Sequence, residues 1–438
     1  MRAGRSNWPP RIASGFQLAV VRCGRHTGRR SPLQFGAADV LHKNNGYRRI
    51  RHARLYPEGQ ALSLVSRAAG ITMPVEAVAR STTRRAIFTL EESRSAMSLG
   101  TVSGGRAGSP MPVIDVDAGR ARRISVGRIE AAARAIDPIF RNTAQWVCEP
   151  LGDELGARIA LKAETLNPIR SFKGRGADWL VQNLPPGTSL MCASAGNFGQ
   201  AMAFACRARG VPLTVYAAES ANPLKVERMR AMDARVVLAG QDFDAAKALA
   251  REDSVHKNIR FVEDSRDPEP TEGAGTIGLE WLAFPEQLDA LLVPLGNGAM
   301  LAGIATAIKA RRPEIAVVAV GAAGVPAMVE SLQSGRMVSH DRIDTIADGI
   351  GVRVPVPEAL ADLQGLVDEL ILVPDELILR AMRLLHRHAG VVAEPSGAAG
   401  VAGVMQERER FAGKTIGTVI CGGNLTPAQM REWLDEPS

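Results

Sequence analysis

A two-domain α/β fold with largely parallel sheets covered by helices is what this chain predicts, on three observations. From Ala121 onward, short apolar runs of strand composition alternate regularly with amphipathic helical segments. Glycine and proline stops punctuate that alternation, as at Pro185-Pro186-Gly187 and at Gly210. The length of 438 residues is enough for two domains with sizeable cores. Regular βα alternation implies parallel pairing, because the helix carries the chain back across the sheet before the next strand.

Taken in order, residues 156–162 read as a strand, 171–183 as a helix, 190–193 as a short strand and 197–209 as a helix. Strands at 213–217 and 235–238 flank a helix over 223–232, and a helix over 242–251 follows. Beyond Arg266 come a helix at 275–284, a strand at 290–293, a helix over 300–311 and a strand at 315–320, with a last strand at 415–420. A smaller domain over residues 186–265 is expected to be inserted into a larger one made from 121–185 and 266–438. The head of the chain differs. Residues 1–120 carry 19 Lys/Arg against 7 Asp/Glu, whereas the remaining 318 carry 34 against 39. The net charge of +7 therefore belongs to the head and does not mark the body as a nucleic-acid binder. An internal start at Met97 or Met111, a disordered tail and a targeting segment compete as readings of the head; a disordered basic extension over 1–120 is the one adopted.

No run approaches the roughly 18 apolar residues of a membrane span. Five cysteines (Cys23, Cys148, Cys192, Cys206, Cys421) are scattered without a CxxC pair, which favours free thiols in a reducing compartment.

Four stretches carry chemistry. Lys173 stands in Ser171-Phe172-Lys173-Gly174-Arg175-Gly176-Ala177, in small and apolar company at a helix start. Alone, such a lysine is more often a surface charge than a catalytic one. A lysine amine can, however, form a Schiff base with an aldehyde cofactor such as pyridoxal phosphate, which then acts as an electron sink. Ser194-Ala195-Gly196-Asn197 lies at a strand-to-helix turn, where unpaired backbone N–H groups can grip a carboxylate. Its bland reading is a plain helix start with a serine cap. A serine-hydrolase elbow is excluded, because Cys192 stands where that turn needs glycine. Gly296-Asn297-Gly298-Ala299-Met300 follows a strand and opens a helix, so its amides can cradle a phosphate. It fits neither the dinucleotide fingerprint, since position 301 is Leu, nor the Walker loop, which needs a lysine. Asn297 accepts left-handed backbone, so the loop should tolerate it. Cys421 ends the last apolar strand, where buried packing is the ordinary reading.

In combination these stretches make a pattern. The chain from about Arg122 to its end resembles the threonine and serine dehydratase branch of the fold-type II pyridoxal-phosphate enzymes, relatives of the tryptophan synthase β subunit. The matching stretches, in order, are 167–177, 194–200, 272–280, 294–303, 393–397 and 421–424. The resemblance implies pyridoxal 5'-phosphate as cofactor and Lys173 as its Schiff-base lysine and catalytic base. It implies Phe172 against the cofactor, Asn197 at its phenolic oxygen, residues Gly296, Asn297, Gly298, Ala299 and Met300 around its phosphate, and Cys421 at the ring nitrogen. A thiol there is a weak, neutral partner, which suits elimination of hydroxyl over transamination. The resemblance also implies that Ser194, Ala195, Gly196 and Asn197 bind the substrate carboxylate.

Ala195 stands where racemising relatives carry a base serine, and Phe198 where relatives carry histidine; the first favours elimination, the second a more apolar pocket. Glu394 matches a glutamate near the family's site, with helix capping an equal reading. Residues 321–324 offer no carboxylate for the divalent cation that some relatives bind, so no metal is expected; His386 and His388 are expected at the surface. The implied protein is a cytoplasmic homodimer or higher homo-oligomer that releases a 2-oxo acid and ammonia from a small hydroxyamino acid. The implied alternatives are a threonine-synthase-like β-replacement enzyme and a catalytically degenerate cofactor-binding protein.

Overall fold

The computed structural model describes residues 122–435 and, ahead of them, eight strand segments between Gln17 and Leu90. Internal contacts divide the chain into two units, Met1–Ala107 and Gly108–Ser438. In the first unit the strands are β1 (Gln17–Val21), β2 (Gln34–Phe35), β3 (Ala38–His42), β4 (Gly46–Ile50), β5 (Ala53–Glu58), β6 (Ala61–Ser66), β7 (Ile71–Val75) and β8 (Ala86–Leu90). They pair antiparallel in two four-stranded sheets of order β4-β3-β1-β8 and β2-β5-β6-β7. The sequence pattern anticipates none of them. The rest of residues 1–121, with Cys23 and the expectation of a disordered extension, lies outside the described residues.

The second unit follows the predicted alternation. Its elements begin with α1 (Val126–Ala135), β9 (Gln145–Val147), α2 (Glu149–Leu155), β10 (Arg158–Ala163), α3 (Lys173–Gln182), β11 (Leu190–Ala193) and α4 (Asn197–Ala208). Then come β12 (Leu213–Ala217), α5 (Pro223–Arg230), β13 (Arg235–Leu238), α6 (Phe243–His256), β14 (Arg260–Val262) and α7 (Pro268–Leu282). The remainder is β15 (Ala290–Pro294), α8 (Ala299–Arg311), β16 (Ala316–Ala322), α9 (Ala327–Ser334), α10 (Pro357–Leu363) and β17 (Glu369–Val373), followed by α11 (Asp375–Ala389), α12 (Pro395–Gln406), α13 (Arg408–Phe411), β18 (Thr415–Ile420) and α14 (Pro427–Trp433).

Two sheets result. One is six-stranded, order β17-β16-β15-β18-β10-β9, parallel except for the β9–β10 pair. The other is four-stranded and wholly parallel, order β13-β12-β11-β14. Alternate residues of the central strands enter different cores: Leu292, Val318 and Val320 one, Leu291, Val293, Val317 and Ala319 the other. Both faces are therefore buried under helices, which is why β15 reads as an unbroken apolar run. A third core, with Phe140, Leu180, Met202 and Val215, lies under the smaller sheet. Each such side chain contributes about 1.5–3 kcal/mol by leaving water.

The structure moves one predicted helix. α7 spans Pro268–Leu282 rather than 275–284. Its first half, Pro-Glu-Pro-Thr-Glu-Gly-Ala-Gly, is poor in helix formers, and tertiary contact overrides that propensity. A Cβ on Gly176 of α3 would lie 2.5 Å from the Pro270 Cα, and one on Gly273 would lie 2.5 Å from the Gly176 Cα. The two helices touch backbone to backbone, an approach that only glycine permits.

Candidate active site

Lys173 opens α3, and the loop before it is built by its own side chains. Asn167 Nδ2 donates to the Glu164 and Ser171 carbonyls at 2.9 and 3.1 Å, while its Oδ1 accepts from the Ile169 and Ser171 amides. The Phe172 N–H donates to the Cys421 carbonyl at 3.0 Å, and Ser171 bridges to Gly422. The end of β18 thus fixes the residue before the lysine. Phe172, Met300 and Cys421 share one buried apolar cluster.

The Lys173 amine lies 4.6 Å from the Phe172 ring centroid and pairs with Asp264. Asn297 Nδ2 donates to the same Asp264 oxygen at 2.6 Å. Both partners of the pair keep some access, at 14% exposure each. Asp264 is a residue that the sequence reading missed. The available signal was the short apolar run Phe261-Val262, which forms β14 and delivers Asp264 at its carboxyl end. Ser194 after β11, Asn297 after β15 and Cys421 after β18 occupy equivalent places. Ligand sites in parallel sheets lie at those ends.

At the turn before α4, the Ser194 hydroxyl oxygen accepts from the Gly196 and Gly199 amides at 3.1 and 3.0 Å. Ala195, Gly196 and Asn197 are half-buried along the same turn. Asn197 is held by residues far away in the chain: its Nδ2 donates to Glu394 Oε1 at 2.8 Å, and its Oδ1 accepts from Asn424 Nδ2 at 2.8 Å. The Asn424 N–H donates to the other Glu394 oxygen at 3.0 Å. Glu394 is thus bonded to the 194–197 turn, and it precedes α12 without bonding that helix's amides. Burial, helped by the charge of Asp348, pushes its carboxyl up to about 7, against the hydrogen bonds from Asn424 and Asn197. Burial likewise pushes the Cys421 thiol up, which keeps it neutral.

In the loop 296–299 it is Gly298 that takes left-handed backbone (φ +97°). Gly298 starts α8 with no side-chain cap. A Cβ on Gly296 would sit 3.0 Å from both the Gly349 carbonyl oxygen and the Ile350 Cα, so a side chain there would crowd the loop. A cavity of about 310 Å³ opens beside the Lys173–Asp264 pair, its wall including Ser194, Phe198, Phe243, Phe261, Asp264 and Asn297. His386 is exposed, while His388 is half-buried against Glu154 at 2.8 Å. Cys148, Cys192, Cys206 and Cys421 are buried free thiols. Among the described residues no cluster of three or more His, Cys, Asp or Glu is placed to hold a metal ion, and no helix is long and apolar enough to cross a membrane.

A half-buried lysine, an uncapped helix start and a neutral thiol at the ends of parallel strands are chemically suited to an aldehyde cofactor that carries a phosphate. The chain belongs to the family described as pyridoxal-phosphate dependent enzymes, whose pattern matches residues 136–422. It is 34% identical over 305 residues to an L-threonine ammonia-lyase of Thermotoga maritima, covering 69% of this chain and 76% of that protein. It is 37% identical over 277 residues to an L-threonine ammonia-lyase of Geobacter sulfurreducens, covering 62% of this chain and 69% of that one. Among solved structures, the processed threonine deaminase isoform 2 of Solanum lycopersicum superposes with a TM-score of 0.65 at 26% identity, over 75% of this chain and 92% of that one. The fold is that of the fold-type II enzymes, and the cofactor is pyridoxal 5'-phosphate.

Proposed function

We propose that this chain is a pyridoxal-phosphate-dependent ammonia-lyase that eliminates water from a β-hydroxy amino acid, threonine first among candidates, to give a 2-oxo acid and ammonia. The observation that carries the reading is the half-buried Lys173 amine at the strand ends, beside Phe172 and the cavity, in a chain similar to threonine ammonia-lyases along most of its second unit.

The residues fit the cofactor. Lys173 supplies the amine, the uncapped start of α8 the phosphate amides, Phe172 an apolar contact, Asn197 a polar one, and Cys421 a neutral partner for the ring nitrogen. When bound, the cofactor supplies a conjugated electron sink. The chain's own residues do the rest. Lys173, as a free amine, removes the substrate α-proton. The amides of the 194–197 turn receive the carboxylate, with Asn197 oriented by Glu394 and Asn424. Ala195 offers no hydroxyl as a second base, which supports elimination over racemisation. The region around the four-stranded sheet, near residues 186–265, would be the smaller domain, and a homodimer or higher homo-oligomer would be the working form.

Loading the protein with pyridoxal phosphate and reducing with borohydride should attach the label at Lys173, read by peptide mass. Threonine should yield 2-oxobutanoate and ammonia in equal amounts. Label on another lysine, or product without ammonia, would overturn the reading.

A further inference from the structure

We infer that the substrates of this site include β-hydroxy amino acids with a branched or aromatic β-substituent, such as 3-hydroxyleucine and 3-phenylserine, and that Phe198, Phe243 and Val354 set that range. This rests on the proposed elimination and extends its substrate class. The observation is the cavity of about 310 Å³. Its wall includes Ala193 and Ser194, so it adjoins the turn that receives the substrate carboxylate. Asn297 also lines it, whereas Phe172, Lys173, Asn197 and Cys421 do not, so it lies beside the cofactor's holders rather than among them. The volume falls at the lower end of the roughly 300–1,000 Å³ of small-molecule sites, and a methyl group such as threonine carries would leave most of it empty.

The lining decides what fills it. Phe198, Phe243, Phe261, Ile343, Val352 and Val354 converge on it from α4, α6, β14 and the segment between α9 and α10. Phe198 is buried, but Phe243, Ile343 and Val354 are 51%, 48% and 51% exposed. Large apolar side chains left to water around one opening mark a surface that gains when an apolar group covers it. Both cations of the wall are engaged, Lys247 with Glu263 and Arg353 with Asp242 and Asp244. An acidic β-substituent would lose its hydration there without meeting an unengaged cation, whereas a branched or aromatic one displaces water from apolar surface. The larger group leaves the chemistry unchanged. The Cα–H and Cβ–O bonds break, water leaves, and one water is taken up when the carbon–nitrogen bond hydrolyses. 3-Hydroxyleucine gives 4-methyl-2-oxopentanoate and ammonia, and 3-phenylserine gives phenylpyruvate and ammonia.

The experiment measures kcat/KM for ammonia release by the cofactor-loaded chain from threonine, 3-hydroxyleucine and 3-phenylserine. At least one of the larger substrates should match or exceed threonine. Binding is read separately with leucine and alanine, which have no β-hydroxyl to lose, by titrating the absorbance of the bound cofactor. Leucine should bind about tenfold or more tightly than alanine, the scale of a few carbons placed in an apolar pocket. Two variants at half-exposed wall positions then test the lining. Val354→Trp fills the opening, and Phe243→Ser puts a hydroxyl in place of a ring. Each should lower the ratio of kcat/KM for 3-hydroxyleucine to that for threonine by about tenfold, and the preference for leucine over alanine should shrink with it. Both larger substrates falling below threonine, leucine binding no better than alanine, or a ratio that neither variant moves would overturn the assignment. Wild type that releases ammonia from no β-hydroxy amino acid would instead sink the elimination itself.

Discussion

Lys173 and Arg175 stand two residues apart at the start of α3, each against carboxylates, and their surroundings differ in how completely they are paired. Arg175 is fully buried. Its guanidinium donates to both oxygens of Glu164 at 2.8 Å, to both of Glu280 at 2.6 and 3.0 Å, and to Thr276 and Thr143. Lys162 pairs with Glu280 at 2.6 Å from the other side. Burial alone would raise the Glu280 carboxyl, yet Arg175 and Lys162 pull it down to about 2. Around Lys173 the accounting is incomplete: one acid, one oxygen satisfied, the other without a partner, and a cavity alongside. A closed network holds a fold together, while an open one leaves valence for a ligand. One helix start thus carries a structural cation and a reactive one.

Substitution should separate the two by what each breaks. Lys173→Ala should cost activity on the order of 10⁴-fold, since both the cofactor's anchor and the base are lost. Urea unfolding of the cofactor-free protein should barely move, because that amine is partly exposed and its acid can take water in place of it. Arg175→Met should do the reverse. It strands Glu164 and Glu280 in the interior, and removing one partner of a buried pair costs about 3–5 kcal/mol. The urea midpoint reports it; an unchanged midpoint would deny that the network is structural.

The reactive half of that contrast was legible in the sequence, and part of its setting was not. Lys173, the 194–197 turn, the 296–299 loop and Cys421 announce themselves because each depends on a few consecutive residues at a strand or helix end. Asp264 and Asn424 do not, because their meaning is tertiary. Asp264 meets Lys173 across 91 positions, and Asn424 meets Asn197 across 227. β14 is three residues long, too short for alternation to show, so the acid at its end looked like loop. β17 and α12 went unassigned, though a helix was expected around His386 and His388, and the first half of α7 is helical because Gly176 and Gly273 let two backbones meet. Glu394 was recognised by its neighbours in sequence, but its bonds to Asn197 and Asn424 are visible only in the fold.

Glu394 lies between the two extremes, buried and hydrogen-bonded but without a cation in contact. Its carboxyl titrates near 7 when folded against an ordinary 4.5. Between those values the folded chain holds a proton that the unfolded chain releases. The stabilisation is therefore complete below pH 4.5 and is lost as pH rises through 7. At about 1.36 kcal/mol per pH unit, the loss should approach about 3 kcal/mol. Glu394→Gln cannot ionise, so the stability of the cofactor-free variant should decline less than wild type between pH 5 and 8. Parallel urea-midpoint curves for the two proteins would refute the assignment.

The weakest case tests whether burial, rather than the number of ion pairs, orders these effects. Arg353 sits on the cavity wall and bonds two acids, Asp244 at 2.6 Å through Nε and Asp242 at 3.0 Å through a terminal nitrogen. Its side chain is 27% exposed, that of Asp244 41% and that of Asp242 43%. Water screens such pairs, and exposed ion pairs contribute roughly 0.2–1 kcal/mol each. Asp242 also accepts the Ala245 N–H at 2.9 Å as the cap of α6, so it keeps a partner when the arginine goes. Arg353→Met should therefore cost no more than about 1 kcal/mol, and the difference from wild type should shrink in about 1 M salt. A loss as large as that of Arg175→Met, unchanged by salt, would show that closure of the network counts for less than the count of its bonds.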